Sequence, residues 1–161
     1  MLTPPQIERR EAQPYAGLAA RAPQGGLGSV VDRGFPRLFG WLAAHGLAPA
    51  GPPFIRYRRV DDPSALEIEL CVPTGAPVAA EDDVLAGELP AGNYATAQYF
   101  GAYDGLADAT AALLRWGERQ GVDWRRDGER WVACVERYLT DPSSEPDPAK
   151  RQTELAILTT A

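Results

Sequence analysis

The feature that most constrains this chain is a faint internal repeat. Trp41-Leu42-Ala43-Ala44-His45-Gly46 resembles Trp116-Gly117-Glu118-Arg119-Gln120-Gly121 at an offset of 75 residues. Tyr57 with Asp62-Pro63 then matches Glu136 with Asp141-Pro142 at an offset of 79, and Glu69-Leu70 matches Glu154-Leu155 at 85. The growing offset is absorbed by longer loops in the second half. A chain of 161 residues has the size of one domain, so the expectation is a single domain over 1–161 whose halves, 6–80 and 81–160, share one core.

Each half carries the same local pattern. Val31, Phe35, Leu38 and Leu42 step by four, three and four residues, which puts them on one face of a helix that stops at Gly46. Pro36 inside that run predicts a kink or a helix start near it. In the second half Leu106, Thr110, Leu113 and Gly117 repeat the stripe, with Asp104 as the expected cap and Gly121 as the stop.

Strand patterns surround these helices. Phe54 to Val60 and Ala65 to Val72 flank the turn Asp61-Asp62-Pro63-Ser64, while Arg130 to Leu139 and Thr153 to Thr159 follow the second helix. Ile7 to Arg21 and Tyr94 to Phe100 precede the helices. The expected fold class is therefore α+β, two pseudo-symmetric β-α-β-β modules with antiparallel sheets, two main helices and a central groove. Alternation separates Leu66, Ile68, Leu70 and Val72 from Glu67, Glu69 and Cys71, and Val132, Cys134, Glu136 and Tyr138 from Ala133, Val135 and Arg137. Helices can cover only one sheet face, so the other is expected to form a surface or cleft.

Composition narrows the function. A net charge of −6 with a single lysine, Lys150, and dispersed arginine pairs argues against nucleic acid as a direct partner. No apolar run is long enough for a leader or a membrane span, which makes the cytosol the expected compartment. Two cysteines, Cys71 and Cys134, are too few for a disulfide framework. With them, the lone His45 cannot assemble a His/Cys zinc site, and it is expected to cap the first helix. Gly25-Gly26-Leu27-Gly28 lacks the Lys-Ser/Thr of a phosphate loop. No cofactor and no metal are implied.

Glu136 is the strongest candidate for chemistry. It sits mid-strand among apolar and aromatic neighbours, where an unpaired carboxylate is costly unless a cation, a proton or a strong donor meets it. The plainer alternative is a strand glutamate paired with Arg137. If a pseudo-two-fold relates the halves, Tyr57 and Glu136 are equivalent and face each other across the centre. Tyr99, Tyr138 and Trp131 are then candidate walls of a cage for a flat cation.

Five motifs stand in order, Glu69-Leu70-Cys71-Val72-Pro73, Leu89-Pro90-Ala91-Gly92-Asn93-Tyr94-Ala95, Gly101-Ala102-Tyr103-Asp104, Trp116 with Gly121, and Glu136 through Pro142. Together they resemble the GyrI-like effector-binding domain family. Leu158 departs from the pattern where the family has a proline in its last strand. The family includes ligand-sensing domains of bacterial multidrug-responsive and AraC-type transcription regulators. The resemblance implies two modules around a groove and a central glutamate, here Glu136, that recognises lipophilic cations. It thus implies a binding domain for hydrophobic, aromatic, cationic small molecules, acting in sensing, sequestration or drug resistance, with no membrane role and with a protein partner possible.

Two alternatives stay open. Some single-domain relatives hydrolyse cyclopropane-bearing DNA-alkylating natural products in the same groove, and here Glu136, Tyr57 and Glu69 would be the catalytic residues. The other is a protein-binding inhibitor that acts on gyrase or another enzyme, through acids such as Glu81-Asp82-Asp83.

Overall fold

A computed structural model describes residues 1–161. Ten strands and two helices follow in the order β1 (Gln6–Arg10), β2 (Gln13–Ala22), α1 (Leu27–Ala44), β3 (Phe54–Arg59), β4 (Leu66–Pro73), β5 (Val84–Leu89), β6 (Gly92–Phe100), α2 (Leu106–Arg119), β7 (Arg126–Asp127), β8 (Arg130–Trp131), β9 (Cys134–Tyr138) and β10 (Gln152–Leu158). Eight strands form one antiparallel sheet in the order β1-β6-β10-β9-β3-β4-β2-β5, while β7 and β8 pair separately. The modules β2-α1-β3-β4 and β6-α2-β9-β10 meet where β3 pairs with β9. On either side of that seam the strand order is mirrored, as a pseudo-two-fold axis through it requires.

The sheet ends are tied together. Arg10 pairs with Gly92 and Gln13 with Leu89, so the register of β1 on β6 runs on unbroken into that of β2 on β5. This long ribbon joins the two outer edges and curls the sheet into a half-barrel. The sequence pattern Ile7 to Arg21 is thus two strands, interrupted at Glu11-Ala12, and not one.

The curl overturns one expectation. The face away from the helices is no open cleft: it buries Tyr15, Phe54, Cys71, Tyr94, Val135 and Leu158 against one another. The helices cover the other face. Phe35, Leu38 and Leu42 of α1 pack on Leu18, Ile55, Ile68 and Leu70, and Leu106, Ala109 and Leu113 of α2 pack on Ala95, Ala97, Leu155 and Ile157. These helical residues sit at the three- and four-residue spacing that holds one face toward the sheet.

Helix ends follow the sequence signals with two exceptions. Gly46 and Gly121 take φ of +67° and +74° just past the last turns, the left-handed conformation that ends a helix at low cost only for glycine. Pro36 lies well inside α1, which starts at Leu27. Asp104 does not cap α2: the residue before the helix is Gly105 and no side chain bonds there. A single turn of 3-10 helix at Tyr103–Gly105 leads directly into α2, leaving Asp104 inside the turn.

Candidate functional site

The sheet register places Glu136 at the centre of an otherwise apolar row. Leu18 pairs with Leu70, Leu70 with Ile55, Ile55 with Glu136, Glu136 with Leu155, and Leu155 with Ala97. Directly paired residues of an antiparallel sheet share a face, so this row crosses six strands under the two helices with one polar member. Glu136 is 7% exposed.

Two phenols meet the carboxylate. Tyr57 donates to Glu136 Oε2 at 2.9 Å and Tyr138 donates to the same oxygen at 2.8 Å. Both bonds fall on Oε2, which leaves Oε1 without a protein donor. Tyr57 comes from β3, and Tyr138 lies two residues beyond Glu136 on β9, on the same face. Tyr138 is in turn covered by aromatic edges from both modules, Phe35 of α1 at 6.4 Å and Tyr103 at 5.7 Å between ring centroids. The guanidinium of Arg151 lies 5.4 Å from the centre of the Tyr103 ring. The carboxylate therefore lies under an aromatic plug built from α1 and the turn that leads into α2.

No basic side chain pairs with Glu136. Arg137, the partner the plainer sequence reading proposed, points to the opposite face and pairs with Glu154 at 3.2 Å. Arg56 also faces away and donates to Tyr15 Oη at 2.7 Å and to the Val132 carbonyl. Burial pushes the Glu136 carboxyl above the ordinary range, against the pull of the Tyr138 and Tyr57 hydrogen bonds. Burial and the Glu136 charge raise both phenols well above their usual values, so they remain donors at neutral pH. Burial, with the Glu136 charge, also pushes Cys134 up to about 12, which keeps it a thiol rather than a nucleophilic thiolate.

This asymmetry has a measurable consequence. A carboxyl whose folded pKa is raised binds its proton more tightly in the native state, so its contribution to stability is present below the unfolded value and is lost as pH rises through the folded one. Against wild type, Glu136→Gln is expected to gain stability as pH rises above the unfolded value near 4.5, with the difference levelling off once native Glu136 is ionised. Thermal denaturation of both proteins from pH 4 to pH 9 measures it, each kcal/mol moving Tm by about 2–4 °C. A constant difference across that range would show that Glu136 titrates as it does in the unfolded chain.

The other sequence candidates are scattered. Tyr99 packs on the α2 side, where its hydroxyl donates to the Ala102 carbonyl at 2.8 Å. Trp131 is buried in the same cluster with Arg126 at 4.3 Å from its ring centre. Its place there comes from a break in the predicted strand. Pairing stops at Val132-Ala133, so Trp131 shares the face of Cys134 while Val132 packs in the curl, the reverse of strict alternation.

Glu69 is not brought to Glu136. It faces the curl, accepts from the Tyr15 hydroxyl, and lies 3.7 Å from Arg58. That ion pair and Arg137–Glu154 recur at the repeat offsets of 79 and 85. Glu69 and Glu154 are thus matching members of a structural pair on the curled face. Phe35 and Tyr103 carry the plug and were missed by sequence reasoning. Phe35 was legible only as a core residue of the α1 stripe, where it is buried, and Tyr103 only as part of the motif that precedes α2.

The sequence model described as the GyrI-like small molecule binding domain matches residues 3–158. No curated protein matches the chain. The crystal structure of the EcmrR C-terminal domain superposes with a TM-score of 0.81 at 18% identity, covering 97% of this chain and 96% of that one. A chain of the cryo-EM EcmrR–DNA complex gives a TM-score of 0.83 at 17% identity, and the match covers 97% of this chain and 57% of that chain, so the present sequence spans little more than half its length. SAV2435 bound to tetraphenylphosphonium gives 0.63 at 10% identity, covering 99% of this chain and 95% of that one. At these identities the likeness is one of fold, and it includes the two helices and the curled antiparallel sheet. Together with the sequence match over nearly its whole length, it shows that this chain belongs to the GyrI-like small-molecule-binding domain family.

Proposed function

We propose that the chain binds lipophilic aromatic cations under the Phe35–Tyr138–Tyr103 plug, with Glu136 as the counter-charge and Tyr57 and Tyr138 as its orienting donors. The observation that carries this reading is a buried carboxylate with no basic partner, one oxygen held by two phenols and the other left without a donor. Such a group has a large desolvation cost, which a cation arriving with its own apolar surface offsets. Aromatic edges and faces around it suit a delocalised positive charge. Capture of tetraphenylphosphonium by a protein of the same fold agrees with that chemistry.

Binding without turnover is favoured over hydrolysis because only one carboxylate reaches the site. Glu69, the second acid a hydrolytic mechanism would use, lies on the other sheet face in contact with Tyr15 and Arg58. Calorimetric titration with tetraphenylphosphonium and with the neutral triphenylphosphine oxide tests the proposal. Saturable binding of the cation, tighter than that of the neutral compound by about tenfold or more, with the ligand recovered unchanged by mass spectrometry, is expected. Equal affinity for both compounds would remove the role of charge, and a converted ligand would make the chain an enzyme.

A further inference from the structure

A second concavity lies away from Glu136. A groove of about 370 Å³ runs along the C-terminal end of α1, between its last turn and the segment that joins β4 to β5. It shares no lining residue with the Glu136 site. Trp41 and His45 lie six and ten residues beyond Phe35, about 9–15 Å farther along the helix axis at 1.5 Å per residue. Its volume falls within the range of about 300–1,000 Å³ usual for small-molecule sites.

The walls state what it would accept. Trp41 and His45 form a flat stacked pair, ring centroids 4.1 Å apart and planes 27° from parallel. His45 Nδ1 lies 2.8 Å from the Trp41 carbonyl oxygen, and Nε2 lies 2.6 Å from Glu81 Oε2. Leu47, Pro77 and Val78 supply apolar surface, and neither lysine nor arginine lines the groove. The negative end of the α1 dipole lies at the same place.

The chain's own imidazole already shows which chemistry is stable here. It is a planar heteroaromatic ring laid on an indole face, with one nitrogen on a carboxylate and the other on a carbonyl at the helix terminus. Raising the ring's proton affinity are its contacts with the Trp41 carbonyl and Glu81. The groove continues that surface with empty volume large enough for a ring system of several fused rings.

We propose that this groove is a second small-molecule site, which takes a planar aromatic ring system stacked on the Trp41–His45 wall, the Glu81 charge being already paired with His45. The site is separate from the one at Glu136, which is closed by a plug and reads charge through a buried acid. The groove is open and reads flatness, because the segment opposite the stack carries small side chains such as Ala79 that leave a slot.

Ethidium is a suitable probe, and the Glu136→Gln protein isolates the groove from the buried carboxylate. Fluorescence titration of Glu136→Gln is expected to show saturable ethidium binding at one site per chain. Adding Ala79→Trp, on an exposed residue that faces the slot, should weaken that binding by tenfold or more while the denaturation midpoint stays unchanged. Absence of saturable binding in Glu136→Gln, or equal binding in the Ala79→Trp double variant, overturns the second site. Neither result bears on the role of Glu136 in tetraphenylphosphonium capture, which is overturned instead if Glu136→Gln binds that cation as wild type does.

Discussion

Glu136→Gln is expected to weaken tetraphenylphosphonium binding by about 30- to 700-fold, the equivalent of about 2–4 kcal/mol for removing one member of a desolvated charge pair. The substitution keeps the shape of the side chain and still offers an amide oxygen to the hydroxyls of Tyr57 and Tyr138. It removes only the charge. Neutral aromatic compounds should bind both proteins alike, since they bury the same surface against Phe35, Tyr138 and Tyr103. The wild-type affinity for the cation should also rise with pH until Glu136 is ionised and then flatten, because the cation competes with a proton held by burial. In Glu136→Gln that dependence disappears. Calorimetry in buffers of different ionisation enthalpy would detect the released proton, and a variant that keeps full affinity would assign charge recognition to another group.

The repeat made the centre of this site legible. An offset of 79 aligned Tyr57 with Glu136, and the structure brings their side chains to 2.9 Å because β3 and β9 are equivalent strands that meet at the module seam. Tyr138 followed from strand parity, two residues along the same face. Parity within one strand is written in its sequence, whereas the register between strands is not. The alternation of Leu70 with Glu69 was readable, but only the pairing of Leu70 with Ile55, and of Ile55 with Glu136, decides that Glu69 faces the curl. Trp131 was misplaced relative to Val132 for a local reason, the break in pairing at Val132-Ala133 that shifts the alternation. Phe35 was visible in the α1 stripe, but its meeting with Tyr138, and that of Tyr103 from the turn before α2, joins elements of both modules and is written in the sequence of neither. The buried second face depended on Glu11-Ala12 and Pro90-Ala91 letting one ribbon cross from module to module, a connection no alternation pattern encodes.

Phe54→Ala should produce the opposite combination of effects: a large loss of stability with little change in binding. Phe54 has no exposed surface and sits on the seam strand, paired with Cys71 on one side and Arg137 on the other. Its ring meets Tyr15 edge-on at 5.4 Å and lies 5.5 Å from the Arg137 guanidinium, so it fills the curl where the two modules join. Truncating a buried phenylalanine costs about 3–5 kcal/mol, since the cavity left behind collapses only in part. For a domain of this size the expected fall in Tm is about 6–20 °C. The proposed ligand site lies on the other side of the same strand, where Ile55 and Tyr57 point toward the helices. Below its unfolding transition, Phe54→Ala should therefore bind tetraphenylphosphonium far more tightly than Glu136→Gln does. Glu136→Gln is in turn expected to gain stability relative to wild type as pH rises, because the growing cost of burying the ionised carboxylate is gone. Thermal denaturation paired with titration at low temperature separates the two. If affinity fell along with stability in Phe54→Ala, the curled face and the ligand face would have to move together, and the seam would be part of the binding machinery.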